Sequence, residues 1–386
     1  MNTPRVFRWQ LVAAIVFFAP LVTTAAPPSE LVLGNGKVIQ PGPYAKRAVE
    51  VDIDPSGPGK GVGRLAVKMP GGRVIQLERT GFESRGQGNG VWRGKWTQDA
   101  DSEAVITVKD GHVVGRFVID GRVFELHPGQ GGKHVMKTLK PDAFPACDSG
   151  EAEYVVADDV ASAGSVTASG DAGGTIIDLL SVYTPRVASR LGGQAAAEAM
   201  IQAAVDNANA AFTNSNMGVQ YRLVRAEQVD YTTAGTTSDD LYWVTFDAGV
   251  SALRDEVGAD MVSIIVDTSG SCGTGWVQRT PSSGFSVYAY QATDMDCAVG
   301  NLTFAHEHGH NLGMEHNPEN SSVGGSPENA SYQHSFAHYV DGSYRTVMSY
   351  SAPCSRGCSR VARHSNPDLV YNGSPTGISG QRDNAQ

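Results

Sequence analysis

The sequence predicts an α/β domain preceded by a β-rich one. Three observations carry this. Two pairs, Asp110-Gly111 and Asp120-Gly121, separate short apolar runs early in the chain, and such pairs are strong hairpin signals. Residues 155–175 are rich in Gly, Ala and Ser and hold no aromatic residue, which is linker composition. From residue 176 candidate strands alternate with candidate helices, the pattern of an α/β layer.

The β-rich part is placed at 26–154. Residues 104–108, 113–119 and 123–126 read as strands of a meander, with Trp92 and Trp96 in a Gly/Arg-rich segment just before them. It carries no catalytic cluster of its own. The α/β part is placed at 176–386. Residues 176–183 read as a strand. Residues 195–212 read as a helix with Met200, Ile201, Val205 and Ala208 on one face. Residues 219–224 and 261–266 read as strands, with a helix at about 239–257 between them, and 284–289 as a further strand.

Before these comes a targeting segment. Arg5 and Arg8 precede an apolar run over 11–22, and Thr23-Thr24-Ala25-Ala26 supplies small residues for cleavage after Ala25. Residues 1–25 thus read as a secretory signal, too short to span a bilayer. The expected location is extracellular, or periplasmic in a Gram-negative bacterium. No later run of 18 apolar residues follows, so no membrane association is expected once the signal is removed.

The 386 residues carry a formal net charge of −10, which argues against a nucleic-acid binder. The charge is uneven. Residues 1–175 hold 19 Lys+Arg and 19 Asp+Glu, whereas 176–386 hold 11 Arg, no Lys and 21 Asp+Glu. Of five cysteines, proximity pairs Cys272 with Cys297 and Cys354 with Cys358, though four cysteines allow three connectivities. Cys147 is left over.

The chemistry concentrates at residues 306–316, His-Glu-His-Gly-His-Asn-Leu-Gly-Met-Glu-His. His306 and His310, four apart, share one face of a helix. Two imidazoles so placed can share one Zn²⁺, with Glu307 beside them as general base. Gly313 ends the helix, because glycine accepts the left-handed conformation, and His316 returns as third ligand. A polar His-rich surface helix is the bland alternative. His308 lies off the ligand face and is expected to be exposed or behind the ligands.

Thr346-Val347-Met348-Ser349-Tyr350 follows 32 residues after His316, counted to Met348. The long histidine motif followed by such a methionine resembles the metzincin zinc peptidases. Cys272-Gly273-Thr274-Gly275-Trp276 resembles the substrate-facing edge strand of reprolysin-like members. Thr303-Phe304-Ala305, Ser365-Asn366-Pro367 and the opening Ile177-Asp178-Leu179-Leu180-Ser181-Val182-Tyr183-Thr184-Pro185 are similar to the bacterial peptidyl-Asp metalloendopeptidase family. The likeness covers most of 176–377. Adamalysin-type proteins carry Asp after the third histidine; here it is Asn317.

The resemblance implies a metzincin catalytic domain with a mixed twisted sheet, a zinc-binding helix and a Met-turn at Met348, behind a β-rich pro-domain. It implies one catalytic Zn²⁺ and protein or peptide substrates; structural Ca²⁺ and oligomeric state stay open. Tyr350 is implied as a zinc or oxyanion tyrosine, against packing or substrate contact. Cys147 is implied as a zymogen latch on the metal, against a free thiol or a disulfide partner. Cleavage on the amino side of Asp implies a cation in the pocket after the scissile bond. The segment after the Met-turn, 351–364, offers Arg356, Arg360 and Arg363, and self-cleavage would fall before Asp158, Asp159 or Asp171. The alternatives are a broad reprolysin-like protease, a zinc enzyme with non-peptide substrates, and a non-catalytic secreted module. Glu307 argues against the last.

Overall fold

The computed structural model describes residues 27–147, 152–153, 174–268, 270–324 and 326–386. The signal segment, nearly all of the linker, and Asp158, Asp159 and Asp171 lie outside the described residues.

The first part is one ten-stranded sheet. Its strands in chain order are β1 (Ser29–Glu30), β2 (Val32–Ile39), β3 (Ala45–Ile53), β4 (Arg64–Lys68), β5 (Val74–Gly86), β6 (Asn89–Trp96), β7 (Glu103–Lys109), β8 (His112–Ile119), β9 (Arg122–Pro128) and β10 (His134–Leu139). A short helix, α1 (Ser56–Gly59), precedes β4. The order β1-β4-β5-β6-β7-β8-β9-β10-β3-β2 contains the meander expected from the two Asp-Gly pairs. Both pairs turn with positive φ at each residue: 49° and 80° at Asp110-Gly111, 50° and 68° at Asp120-Gly121. Those angles match the turn to the twist of the flanking strands. Trp92 and Trp96, on β6, are buried in this sheet's own core.

The second part is built on a mixed sheet. After β11 (Ala152–Glu153) come β12 (Thr175–Tyr183), α2 (Pro185–Leu191), α3 (Gln194–Asn214), β13 (Val219–Gln228), α4 (Thr237–Phe246), α5 (Ala248–Val257), β14 (Met261–Val266), β15 (Gly273–Val277), β16 (Tyr290–Asp294), α6 (Met295–Ala298) and α7 (Thr303–Asn311). The sheet order is β11-β15-β16-β14-β12-β13. β15 runs antiparallel to β16; the other neighbours are parallel. Both sequence-adjacent cysteine pairs are disulfides, and Cys147 is free and buried.

Two element readings need correction. Residues 284–289 are not a strand: Ser283–Tyr288 form a 3₁₀ helix. The place beside β14 is taken by β16, whose five residues are all buried, so tertiary burial overrides a local strand preference. The helix expected at 239–257 is two helices. Asp247 ends α4 in extended conformation, and its side chain accepts from Val250 N to cap α5.

α3 lies between the sheets, packed on β13 on one side and on β7 and β8 on the other. Its many alanines let both sheets approach. Asp206, buried in mid-helix, accepts from Arg85 at 2.6 and 3.0 Å and from Thr107 Oγ1 at 2.6 Å. Arg116 of β8, also buried, donates to Gly300 O and Arg360 O at 3.2 and 2.6 Å. The two parts therefore share a polar seam as well as an apolar one.

Candidate metal centre

α7 is buried along its whole length. Gly313 turns the chain after it with φ 82°, and a Cβ there would lie 2.6 Å from Ser331 Oγ. This reversal returns His316 to the helix. The three histidines then converge: His316 Nε2 lies 3.1 Å from His306 Nε2 and 3.0 Å from His310 Nε2. His306 Nδ1 sits 2.9 Å from Val347 O and His310 Nδ1 2.9 Å from Met314 O. A carbonyl only accepts, so these Nδ1 atoms carry the proton and present Nε2 lone pairs inward. Burial pushes the His306 pKa well down, so the neutral ring is favoured. His316 Nε2 can donate to at most one of these lone pairs, whereas a cation among the three nitrogens would satisfy all of them. The donor set therefore fits a divalent metal ion, held by His306, His310 and His316.

Glu307 is fully buried beside the triad. Its Oε1 accepts from Cys147 Sγ at 2.8 Å, and burial raises its pKa to about 8 against the opposing effects of Cys147 and Arg360. β15 passes directly over it. A Cβ on Gly273 would come 2.6 Å from Glu307 Oε1, and one on Gly275 would come 2.7 Å from Glu307 O. Both glycines in the Gly273-Thr274-Gly275 run are thus needed for the strand to reach the helix. Met348 is buried under α7: a Cβ on Gly309 would lie 2.4 Å from its sulfur. The Tyr350 ring stacks obliquely on His316, centroids 4.2 Å apart.

His308 is not exposed. It is fully buried, bonded through Nδ1 to Asn311 Oδ1 at 3.2 Å and packed against Phe304 and Tyr221. The helix is covered on both faces, so its far side is core. Asn317 acquires a place that sequence reasoning missed. Its Oδ1 accepts from Ser349 Oγ at 3.2 Å and from Tyr350 N at 3.0 Å, tying the residue after the third histidine to the segment beneath the site. Nothing in one sequence signals that pairing.

The cleft beside Glu307 is walled by Tyr350, Arg345 and Arg360 together with residues 144–147. Of the three arginines expected there, only Arg360 reaches it. Arg356 is exposed and ion-paired with Asp341 at 3.3 Å. Arg363 donates to Asn214 O at 2.6 Å and lies over Tyr371. Arg345, which precedes Met348 in sequence, was not expected in the cleft. Past the cleft, β11 pairs in parallel with β15, Ala152 opposite Trp276 and Glu153 opposite Val277. The chain thus lays its own strand on the edge that the sequence marked for a substrate.

A buried histidine triad with an adjacent carboxylate, set on a helix under a mixed sheet, defines a metallopeptidase. Residues 174–380 match the reprolysin-like metallopeptidase family M12B, over half of the chain, and the protein belongs to that family. A peptidyl-Asp metalloendopeptidase of Xanthomonas campestris is 27% identical, the alignment covering 95% of this chain and 87% of that one. One of Stenotrophomonas maltophilia is 29% identical over 97% and 92%. The crystal structure of metalloproteinase-II from Bacteroides fragilis superposes with a TM-score of 0.38 at 10% identity, covering 66% of this chain and 81% of that one. No described helix is long and apolar enough to cross a membrane.

Proposed function

We propose that this metallopeptidase is a secreted zinc endopeptidase, made as a zymogen, that cuts on the amino side of Asp. The observation that carries the reading is the convergence of three imidazoles, His316 Nε2 lying within 3.1 Å of both His306 Nε2 and His310 Nε2, beside the buried Glu307. Three neutral imidazoles with a fourth position left open are the donor set of catalytic zinc. Zinc bound there supplies a water acidified toward pH 7 and polarises the scissile carbonyl.

Glu307 takes the proton from the attacking water and delivers it to the leaving amine. Positioned proton transfer of this kind is worth roughly 10²–10⁴-fold. Its burial favours holding that proton between the two steps. Met348, packed beneath α7, serves as the Met-turn residue, and Tyr350, whose ring lies against His316, donates to the developing oxyanion.

Residues 26–154 act as pro-domain and 155–175 as the activation segment. Cys147 is the latch: its sulfur hydrogen-bonds the base, and it lies with His306 and Glu307 donors all within 4.8 Å. β11 occupies the edge of β15 that an extended peptide would use. The Asp preference is supported by the relatives' activity and by Arg360 in the cleft.

A casein zymogram with and without chelator tests the class. Chelation should abolish the band and Zn²⁺ should restore it. Glu307→Ala should bind zinc normally yet lose at least about 10² in turnover. A variant that keeps more than a tenth of wild-type rate removes Glu307 from the role of base.

A further inference from the structure

The 11 arginines of residues 176–386 divide by what answers their charge. Seven pair with a carboxylate: Arg186, Arg190, Arg222, Arg225, Arg279, Arg356 and Arg382. Arg254 and Arg363 are only partly buried and lie over tyrosine rings. Arg345 and Arg360 differ from all of these. They are 2% and 5% exposed, and among the described residues no carboxylate stands within ion-pair distance of either.

Their placement is set by two short strands, β17 (Tyr339–Val340) aside: β18 (Tyr344–Arg345) and β19 (Ser359–Arg360) run parallel with Arg345 opposite Arg360. Like charges in direct register are unfavourable. Their partners are neutral oxygens. Arg345 donates to Ser349 O at 2.6 Å; Arg360 donates to Asn301 O at 2.9 Å and Ser349 O at 3.3 Å. Among the described residues the Nε of each is buried with no hydrogen-bond partner. The groups facing them are Cys147 for both, Glu307 and Tyr350 for Arg360, and exposed Asp142 and the Arg116 cation for Arg345. A buried charge left without an anion is costly, and two together are more so. Both line a cleft that residues 144–147 wall off in the uncleaved chain.

We propose that Arg345 and Arg360 act as a pair, a two-guanidinium floor that receives the Asp carboxylate of the substrate once residues 144–147 have left the cleft. This rests on the Asp-directed reading above and adds Arg345 to it. Two guanidinium groups on one carboxylate supply fork donors from two sides, which a neutral isostere cannot answer. Asn at that position leaves both cations buried and unpaired. Discrimination between Asp and Asn is therefore the signature of the pair.

The test uses full-length protein after self-processing, with Zn²⁺, on peptides identical except for Asp, Asn or Ala after the scissile bond. Wild type should favour Asp over Asn by at least about 10² in kcat/KM, as sites built for a polar group do. Arg345→Gln and Arg360→Gln should each lower that ratio at least about tenfold. A role confined to holding Ser349 would lower all three peptides together and leave the ratio unchanged, which overturns the assignment while the Asp-directed reading stands. A wild type without preference for Asp over Asn overturns both. Should a glutamine variant fail to fold, wild type still decides. A peptide beginning with Asp, the product of the proposed cleavage, should shield Arg345 and Arg360 from an arginine-directed dicarbonyl in mass mapping. A peptide beginning with Asn should not. Equal modification under both peptides overturns the pair.

Discussion

Buried charge is handled in two ways in this molecule. At the seam between the sheets, Asp206 meets Arg85 and Thr107, and Asp296 meets Arg190 at 2.8 Å and Lys137 at 3.3 Å. In the cleft, Arg345 and Arg360 meet carbonyl oxygens and each other. Asp206 is as buried as Arg345 and Arg360, so the difference lies in whether the described residues supply the counter-charge. Where it does, the charge fastens one part of the fold to another. Where it does not, the unfavourable arrangement persists because the surrounding packing enforces it, and a ligand can relieve it. Buried charge alone therefore says little about function, and the completeness of its partners says more.

The largest effect is expected at Cys147, where seam and cleft meet. Replacing it by Ser removes the thiol that holds Glu307 and lies near His306. The uncleaved precursor should then hydrolyse casein, or process itself faster than wild type. Equal latency of the two precursors, measured before any cleavage, removes Cys147 as the latch.

Arg85→Ala should come next. Among the described residues it leaves Asp206, fully buried, with only Thr107 and Gln202 as side-chain partners. Stranding a buried charge costs about 3 kcal/mol. Urea unfolding of the full-length protein reads this directly, and a loss below about 0.5 kcal/mol, the size of an ordinary surface substitution, would mean that the pair does not fasten the seam.

The smallest effect sharpens the seam side through pH. Glu125 of β9 is buried against Gly300, and burial lifts its pKa from 4.5 to about 7. A carboxyl whose pKa is higher folded than unfolded contributes stability fully present below 4.5 and lost as pH rises through 7. Glu125→Gln cannot ionise and escapes that loss. Between pH 5 and pH 8 the melting temperature of wild type should therefore fall more than that of the variant. Parallel pH profiles would show that Glu125 is hydrated and not part of the seam.

How much was legible beforehand follows the range of the interactions. His306 and His310 are set by the helix period and His316 by a glycine three residues past His310, so eleven consecutive residues specify the donor set. The Asp-Gly hairpins are equally local, and so is the pairing of the nearest cysteines. Residues 284–289 have strand-like composition but form no strand, because a strand is chosen by the sheet that accepts it, and the fully buried β16 takes that place. The break at Asp247 was local in cause, since an Asp that caps one helix ends another, yet it hid inside a continuous helical pattern.

The amino-acid order alone specified the helix that carries His306, Glu307 and His310, the meander, and the change of pattern that begins the second sheet. Each of these depends on residues within a turn or two of one another, or on composition. Only the tertiary structure decided that Cys147 reaches Glu307 across 160 residues, that Asn317 steadies Tyr350, and that Arg345 rather than Arg356 or Arg363 joins Arg360. The physical reason is register. Arg345 and Arg360 are 15 residues apart in sequence, and only the parallel pairing of two two-residue strands turns them toward one cavity. No periodicity records that pairing, because its stability comes from the packing around it and not from the strands themselves.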